Sequence, residues 1–270
     1  MDNYFVSSCK RVKDWICRQF GQKEKKTVHH KKFADGGEVI VWETGRAGEE
    51  AASYENLFLR KEIAGFRTNI RREQSCSIKS LTRDYLYKQL LSSGEYTFDH
   101  MLVIKDPYGE APLTALALFI LEEPACVRVT TKGNLKETDF VTELPKKKEH
   151  RVPILGMYAE KANDIVIEIL DDEGNCVKSH TFTIRTKRLP KSLRNVITVK
   201  KWTDKPAYSN IMINGGVKIH TCVFDIEGKI RYYLSRKPRG YGIFPLSDGH
   251  FFYMEKYLSL IHISEPTRRS

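Results

Sequence analysis

Hydrophobic and polar positions follow a helical period through the first third of the chain and alternate through most of the rest. Phe5, Cys9, Val12, Ile16 and Phe20 recur at helical spacing, with Lys10, Arg11, Lys13 and Arg18 on the other faces. That spacing predicts a basic amphipathic helix over residues 4–20. The charge-rich run Lys23–Lys32, which contains His29-His30, reads as a solvated linker. Gly36-Gly37 marks a turn before a short strand candidate, Glu38–Trp42. Ala51, Tyr54, Leu57, Phe58 and Ile63 predict a helix over residues 47–65. A further helix is predicted from Ser80 to Leu91, with Ser80 as its N-cap and Leu81, Tyr85, Leu86 and Leu90 as its buried stripe. Ser92-Ser93-Gly94 supplies its stop.

From residue 97 the period becomes two. Strands are predicted at 99–105, 113–121, 125–131, 138–143, 149–155, 163–170 and 176–185. Glu122-Glu123-Pro124, Lys132-Gly133-Asn134 and Asp171–Asn175 read as the turns between them. About seven short strands in so short a stretch describe an immunoglobulin-like β-sandwich. Val127, Val129, Ile165, Val166, Ile167, Ile169, Phe182 and Ile184 are its expected core. Tyr158, just before the strand at 163–170, is expected to act as a corner residue whose hydroxyl bonds nearby backbone. Thr186–Arg194 reads as a polar, proline-containing connector. A second β pattern follows. Thr221–Phe224 leads into Asp225-Ile226-Glu227-Gly228, a hairpin turn, and out through Ile230–Leu234. Further strands at Gly240–Leu246 and His250–Met254 complete a four-strand meander, the pattern of one propeller blade.

Composition narrows the class. An apolar content of 41% and an aromatic content of 11% in 270 residues describe a folded chain with sizeable cores. The net charge of +11 suits an anionic partner. No aromatic residues interleave with the basic N-terminal run, which argues against nucleic-acid binding. The six cysteines, Cys9, Cys17, Cys76, Cys126, Cys176 and Cys222, form no Cys-x-x-Cys pair, and His29-His30 lacks a spaced third ligand, so neither a metal site nor a cofactor is expected. Cys126 and Cys222 fall in strand patterns and read as small buried residues. The sequence contains no run of about 18 apolar residues that would cross a membrane. Charges throughout the first twenty residues interrupt any signal-peptide apolar region, so a cytoplasmic location is expected, or an exported one if the natural start lies elsewhere. Leu258–Ser270 reads as the translation of a transposon-based sequencing adapter. On that reading the natural product continues past Tyr257, and this chain is its N-terminal fragment.

The most specific stretch is Asp106-Pro107-Tyr108-Gly109-Glu110-Ala111-Pro112-Leu113-Thr114-Ala115-Leu116, which runs into an apolar strand. With the sandwich ending near Leu189-Pro190 and the Asp225-x-x-Gly228-x-Ile230-Arg231-Tyr232-Tyr233-Leu234 hairpin, it resembles the N-terminal part of bacterial aryl-sulfate sulfotransferases. The resemblance covers about residues 95–257. It implies a mainly β protein with an immunoglobulin-like β-sandwich (96–189) and the first blade of a truncated β-propeller (190–257); the basic, helical N-terminal region (1–95) and the adapter-like tail (258–270) lie outside it and are read from their own residues. It also implies transfer of a sulfuryl group from a phenolic sulfate donor to a phenol acceptor through a propeller histidine, and a possible homodimer. The family's catalytic histidines and arginine belong to later blades. No catalytic, cofactor-binding or metal-binding residue is therefore assigned here. His220 and His250 are expected on a sheet side or at the surface, and Arg231 in a packing or turn-stabilising role. A single blade would leave an apolar face open, which predicts an inactive, aggregation-prone chain beyond residue 190. The competing reading is a non-enzymatic sandwich module that binds an anionic glycan or a protein.

Overall fold

The computed structural model describes residues 28–33, 36–54, 71–200, 210–213, 220–235, 243–245 and 251–253. The helix expected at 4–20, His250 and the tail at 258–270 lie outside the described residues. The described part is mainly β, with two α-helices.

Seven strands form one continuous, nearly closed sheet. They are β1 (Val28–Lys32), β2 (Glu38–Trp42), β3 (His100–Lys105), β4 (Ala115–Thr131), β5 (Phe140–Ile154), β6 (Ala162–Leu170) and β7 (Cys176–Arg185). The order is β1-β2-β3-β4-β6-β7, with β5 also paired to β4. Two strands are far longer than expected. Glu122-Glu123-Pro124 does not reverse the chain but lies in a register shift between Ile120 and Ala125, inside β4. The segments expected at 138–143 and 149–155 likewise join as β5. Pro145 is tolerated because β5 pairs only with β4 and so lies at an edge.

The long strands produce the sandwich. The first half of β4 pairs with β3 and with the end of β5; its second half pairs with β6 and with the start of β5. The bulge bends both strands from one layer into the other. Val39, Val41, Met101, Val103, Ala115, Ala117 and Phe119 then share a core with Val127, Val129, Ile165, Ile167, Phe182 and Ile184. At the open side the ends of the sheet approach each other. Lys31 Nζ on β1 donates to the Thr183 carbonyl on β7, and the Phe33 ring stacks on His180 at 4.0 Å. Val28–Lys32 is thus an edge strand rather than a linker. Its five positions pair in register with Trp42 back to Glu38, which satisfies backbone groups that water would solvate in a linker.

The helices lie on the outer face of the β2–β3–β4 layer. α1 spans Thr44–Ala52 and α2 spans Arg71–Ser92. β2 and β3 run parallel, so the chain between them must cross over, and these helices provide the crossover. Ile40, Trp42, Leu102, Ile104, Leu116 and Leu118 face outward and pack on Ala47, Ala51, Leu86, Tyr87 and Leu91. β3 is therefore apolar on both faces, which is why His100–Lys105 reads as a continuous run rather than an alternation. α1 ends at Ala52, where Ser53 Oγ turns back to the Glu50 carbonyl, and residues 55–65 of the helix expected at 47–65 lie outside the described residues. Ser80 is interior to α2, not its N-cap, because the helix starts at Arg71. Its stop is as expected: Gly94 has φ +73 and donates to the Leu91 carbonyl at 3.1 Å.

Beyond the sandwich, β8 (Asn210–Ile213), β9 (Cys222–Asp225) and β10 (Ile230–Tyr233) form an antiparallel sheet in the order β10-β9-β8. β11 (Ile243–Pro245) and β12 (Phe251–Tyr253) pair with each other. Among the described residues no pairing joins these two sheets. The β9–β10 hairpin does not leave its apolar side open. Cys222, Phe224, Ile230 and Tyr233 are buried in the same core as the sandwich.

Candidate functional site

The hairpin meets the sandwich through a buried polar junction built on Tyr158, Asp225 and Arg231. Its construction starts with the β9–β10 turn. Gly228, at φ +74, donates to the Asp225 carbonyl at 2.8 Å. The amides of Glu227 and Lys229 both donate to Asp225 Oδ1 at 3.0 Å. One carboxylate oxygen thus closes the turn, and the other points into the protein.

That second oxygen, Oδ2, accepts from the Tyr158 hydroxyl at 2.9 Å and from Arg231 Nη1 at 3.3 Å. Arg231 reaches the junction from the register shift in β10. Its Nε donates to the Gly156 carbonyl at 2.6 Å, and its Nη1 donates to the Thr138 carbonyl at 2.8 Å and to the Tyr158 hydroxyl at 2.9 Å. Arg231 is 1% exposed and Asp225 0%. A buried ion pair persists only when its remaining hydrogen-bonding capacity is also met. Here backbone carbonyls and a phenol meet most of it. Nη2 of Arg231 is the remaining donor, buried without a hydrogen-bond partner.

Tyr158 is fixed from both ends. Its amide donates to Asn163 Oδ1 at 2.7 Å, and its hydroxyl accepts from the Asn134 amide at 3.1 Å. It is a corner residue whose hydroxyl bonds backbone, as expected, but its larger part is to join two elements. Burial, the largest influence, raises its pKa, so the phenol stays neutral and donates. The guanidinium of Arg231 lies 3.9 Å from the ring centroid and Lys161 Nζ lies 4.8 Å from it. Gly156 is required here: at φ +75, an added Cβ would lie 2.6 Å from Phe140 Cβ.

The hairpin's other end is tied to the Pro107-Tyr108-Gly109 turn. The Ser235 amide donates to the Glu110 carbonyl at 2.7 Å. Burial, with a smaller contribution from Asp106, pushes the Tyr233 phenol up to about 12. The same turn is held from above by α2. Tyr87 and Arg83 both donate to the Pro107 carbonyl, and Tyr108 donates to Asp84 Oδ1 at 2.6 Å. Burial works against the Asp84 charge, but hydrogen bonds from Tyr108 and Arg151 outweigh it and hold its pKa below the usual carboxylate range. The diagnostic turn therefore lies between the helical cover and the hairpin.

Other marked residues fall elsewhere. His220 fills a sheet side, 8% exposed, with Nδ1 2.8 Å from the Leu234 carbonyl. His29 and His30 lie on β1 near different carboxylates, Glu43 and Glu38. Among the described residues no cluster of His, Cys, Asp or Glu could hold a metal ion. Cys222 is buried as expected, but Cys126 is half-buried and Cys176 exposed, and all three are free thiols. No described helix is long and apolar enough to cross a membrane. The sequence marked Tyr158, Asp225 and Arg231 separately. It held no signal that they converge, because the contacts between Tyr158 and the hairpin span 67 and 73 residues.

The geometry defines an immunoglobulin-like sandwich with a β-hairpin locked against it. Residues 102–187 match the family model of the arylsulfotransferase Ig-like domain. The match takes in about a third of the chain's length. No curated protein matches the chain.

Proposed function

We propose that this chain supplies the N-terminal, non-catalytic part of an aryl-sulfate sulfotransferase. The observation that carries this reading is the match over residues 102–187, extended by a hairpin whose Asp225 and Arg231 lock into the matched domain at Tyr158. In this reading residues 96–189 are a platform, and residues 190–257 begin a propeller whose first hairpin is set at a fixed angle by the junction. The reaction follows from the resemblance. A neutral imidazole attacks the sulfur of a phenolic sulfate ester, forming an N–S bond as the S–O bond to the phenol breaks. The phenolate leaves, and a second phenol then takes the sulfuryl group and releases the histidine. The reaction needs no nucleotide and no metal. His220 is not assigned that role: it is 8% exposed and lies edge-on to Tyr233. In this reading the nucleophile belongs to later blades of the propeller.

The test is to sequence the source locus through the codons after Tyr257 and assay the product of that frame. Further Asp-x-x-Gly blades, with transfer of sulfuryl from one phenol to another, support the proposal. A natural stop after Ser270 and no transfer refute it, and favour a sandwich module that binds an anionic glycan or a protein.

A further inference from the structure

A cavity of about 400 Å³ opens where the last turns of α2 cross the bend of β5. It exists because the bulge that carries β4 and β5 between layers also offsets them beneath the helix. Its lining combines apolar surface from Leu144 and Pro145 with three cations, Lys88, Lys147 and Arg151, and one carboxylate, Glu149. The wall beside Lys147 is fixed. His150 Nε2 lies 2.9 Å from the Lys147 carbonyl, and the imidazole, 2% exposed, stacks on Phe119 at 5.3 Å.

The cations are not equivalent. Arg151 is committed to Asp84 at 2.5 Å and to the Tyr108 hydroxyl at 3.1 Å. Lys88 contributes to the field at Asp84 but makes no direct ion pair with it. Lys147 has no ion-pair partner among the described residues. Lys88 and Lys147 therefore line, beside Leu144 and Pro145, a hollow of a size that holds a small ligand. Glu149 weighs against a bare, multiply charged inorganic ion, whereas Leu144 and Pro145 offer surface to an apolar body.

We propose that this cavity binds a small amphiphilic organic monoanion, with its head between Lys88 and Lys147 and its body against Leu144 and Pro145. The site lies on the sandwich and does not depend on the sulfotransferase reading. Octanoate is a suitable probe, measured by equilibrium dialysis against the full chain. The expected result is saturable binding of one octanoate per chain. Reversal of one charge near the head, Lys147→Glu or Lys88→Glu, weakens it about tenfold. Lys146→Glu, whose ammonium instead pairs with Asp172 at 2.5 Å, leaves it unchanged. Circular dichroism establishes that each variant is folded. Equal weakening by Lys146→Glu and Lys147→Glu overturns the proposal, since the effect is then one of general charge. Displacement of octanoate by equimolar inorganic sulfate, or absence of saturation at millimolar probe, overturns it as well.

Discussion

Replacing Arg231 with methionine tests whether the polar junction holds the hairpin on the sandwich. The substitution keeps much of the side-chain volume and removes the charge. Asp225, 0% exposed, then keeps its turn amides and the Tyr158 phenol but loses the cation paired with it. The carbonyls of Gly156 and Thr138 lose a donor at the same time. Removing one partner of a buried ion pair costs about 3–5 kcal/mol, because the other charge stays buried and uncompensated. That is a large share of a typical domain stability of about 5–15 kcal/mol. Tyr158→Phe removes a single neutral hydroxyl and is expected to cost about 1–3 kcal/mol. The double variant Asp225→Asn with Arg231→Met should lose less than the sum of its singles, by about 0.5–3 kcal/mol, since no lone charge remains. Urea unfolding followed by circular dichroism gives these differences. Hydrogen exchange localises them: amides of Cys222–Asp225 and Ile230–Tyr233 should exchange faster in Arg231→Met, while those of β6 and β7 keep their protection. A loss below about 1 kcal/mol with unchanged hairpin exchange refutes the reasoning, because a buried, unpaired carboxylate cannot be that cheap. The apolar contacts of Phe224, Ile230 and Tyr233 would then be the attachment.

Three further outcomes are expected. Gly156→Ala should lower the melting temperature and cost about 1–3 kcal/mol, because its φ of +75 is strained for alanine and the new Cβ would meet Phe140 at 2.6 Å; an unchanged melting temperature contradicts this. Burial lowers the His150 pKa, so the unfolded chain binds the proton more readily, and stability present above the ordinary imidazole range is lost as pH falls below about 6.5. His150→Phe should flatten that part of the stability–pH curve, measured by urea midpoints between pH 7 and 5. Asp84 and Asp99 have lowered pKa values, so their contributions are present above the ordinary carboxylate pKa of about 3.9 and are lost as pH falls further. Acid unfolding of Asp84→Asn should therefore be less steep below pH 4 than that of the parent chain.

The strands of the sandwich were legible because their side chains alternate or run apolar, and the Asp225-x-x-Gly228 turn because its chemistry is local. Boundaries that depend on tertiary partners were not. Glu122-Glu123-Pro124 has the composition of a turn, yet β4 passes straight through it, since neighbouring strands on both sides keep the ladder going past the bulge. Val28–Lys32 carries no apolar pattern at all. Four of its five residues are exposed, and backbone pairing to β2 makes it a strand. Ser80 resembles an N-cap, but a serine inside a helix can simply face solvent, as this exposed residue does. For the junction, the residue types were visible and their convergence was not.

The position of the Pro107-Tyr108-Gly109 turn explains why the chain adds β1, β2 and two helices ahead of the matched domain. The turn's Tyr108 is bound by Asp84 of α2, and its carbonyls at Gly109 and Glu110 receive Ser235 from beyond β10. The matched domain begins at Leu102 and therefore excludes α2, even though Leu102, Ile104, Leu116 and Leu118 need α1 and α2 to cover them. Burying one such side chain fully is worth about 1.5–3 kcal/mol. Without the cover, the sandwich would expose this apolar face and release the turn from above. The hairpin would then keep its junction at Tyr158 but would rest on a turn held from one side only. The helical segment is thus part of the mechanical path between the sandwich and the β9–β10 hairpin, and its removal should loosen that hairpin.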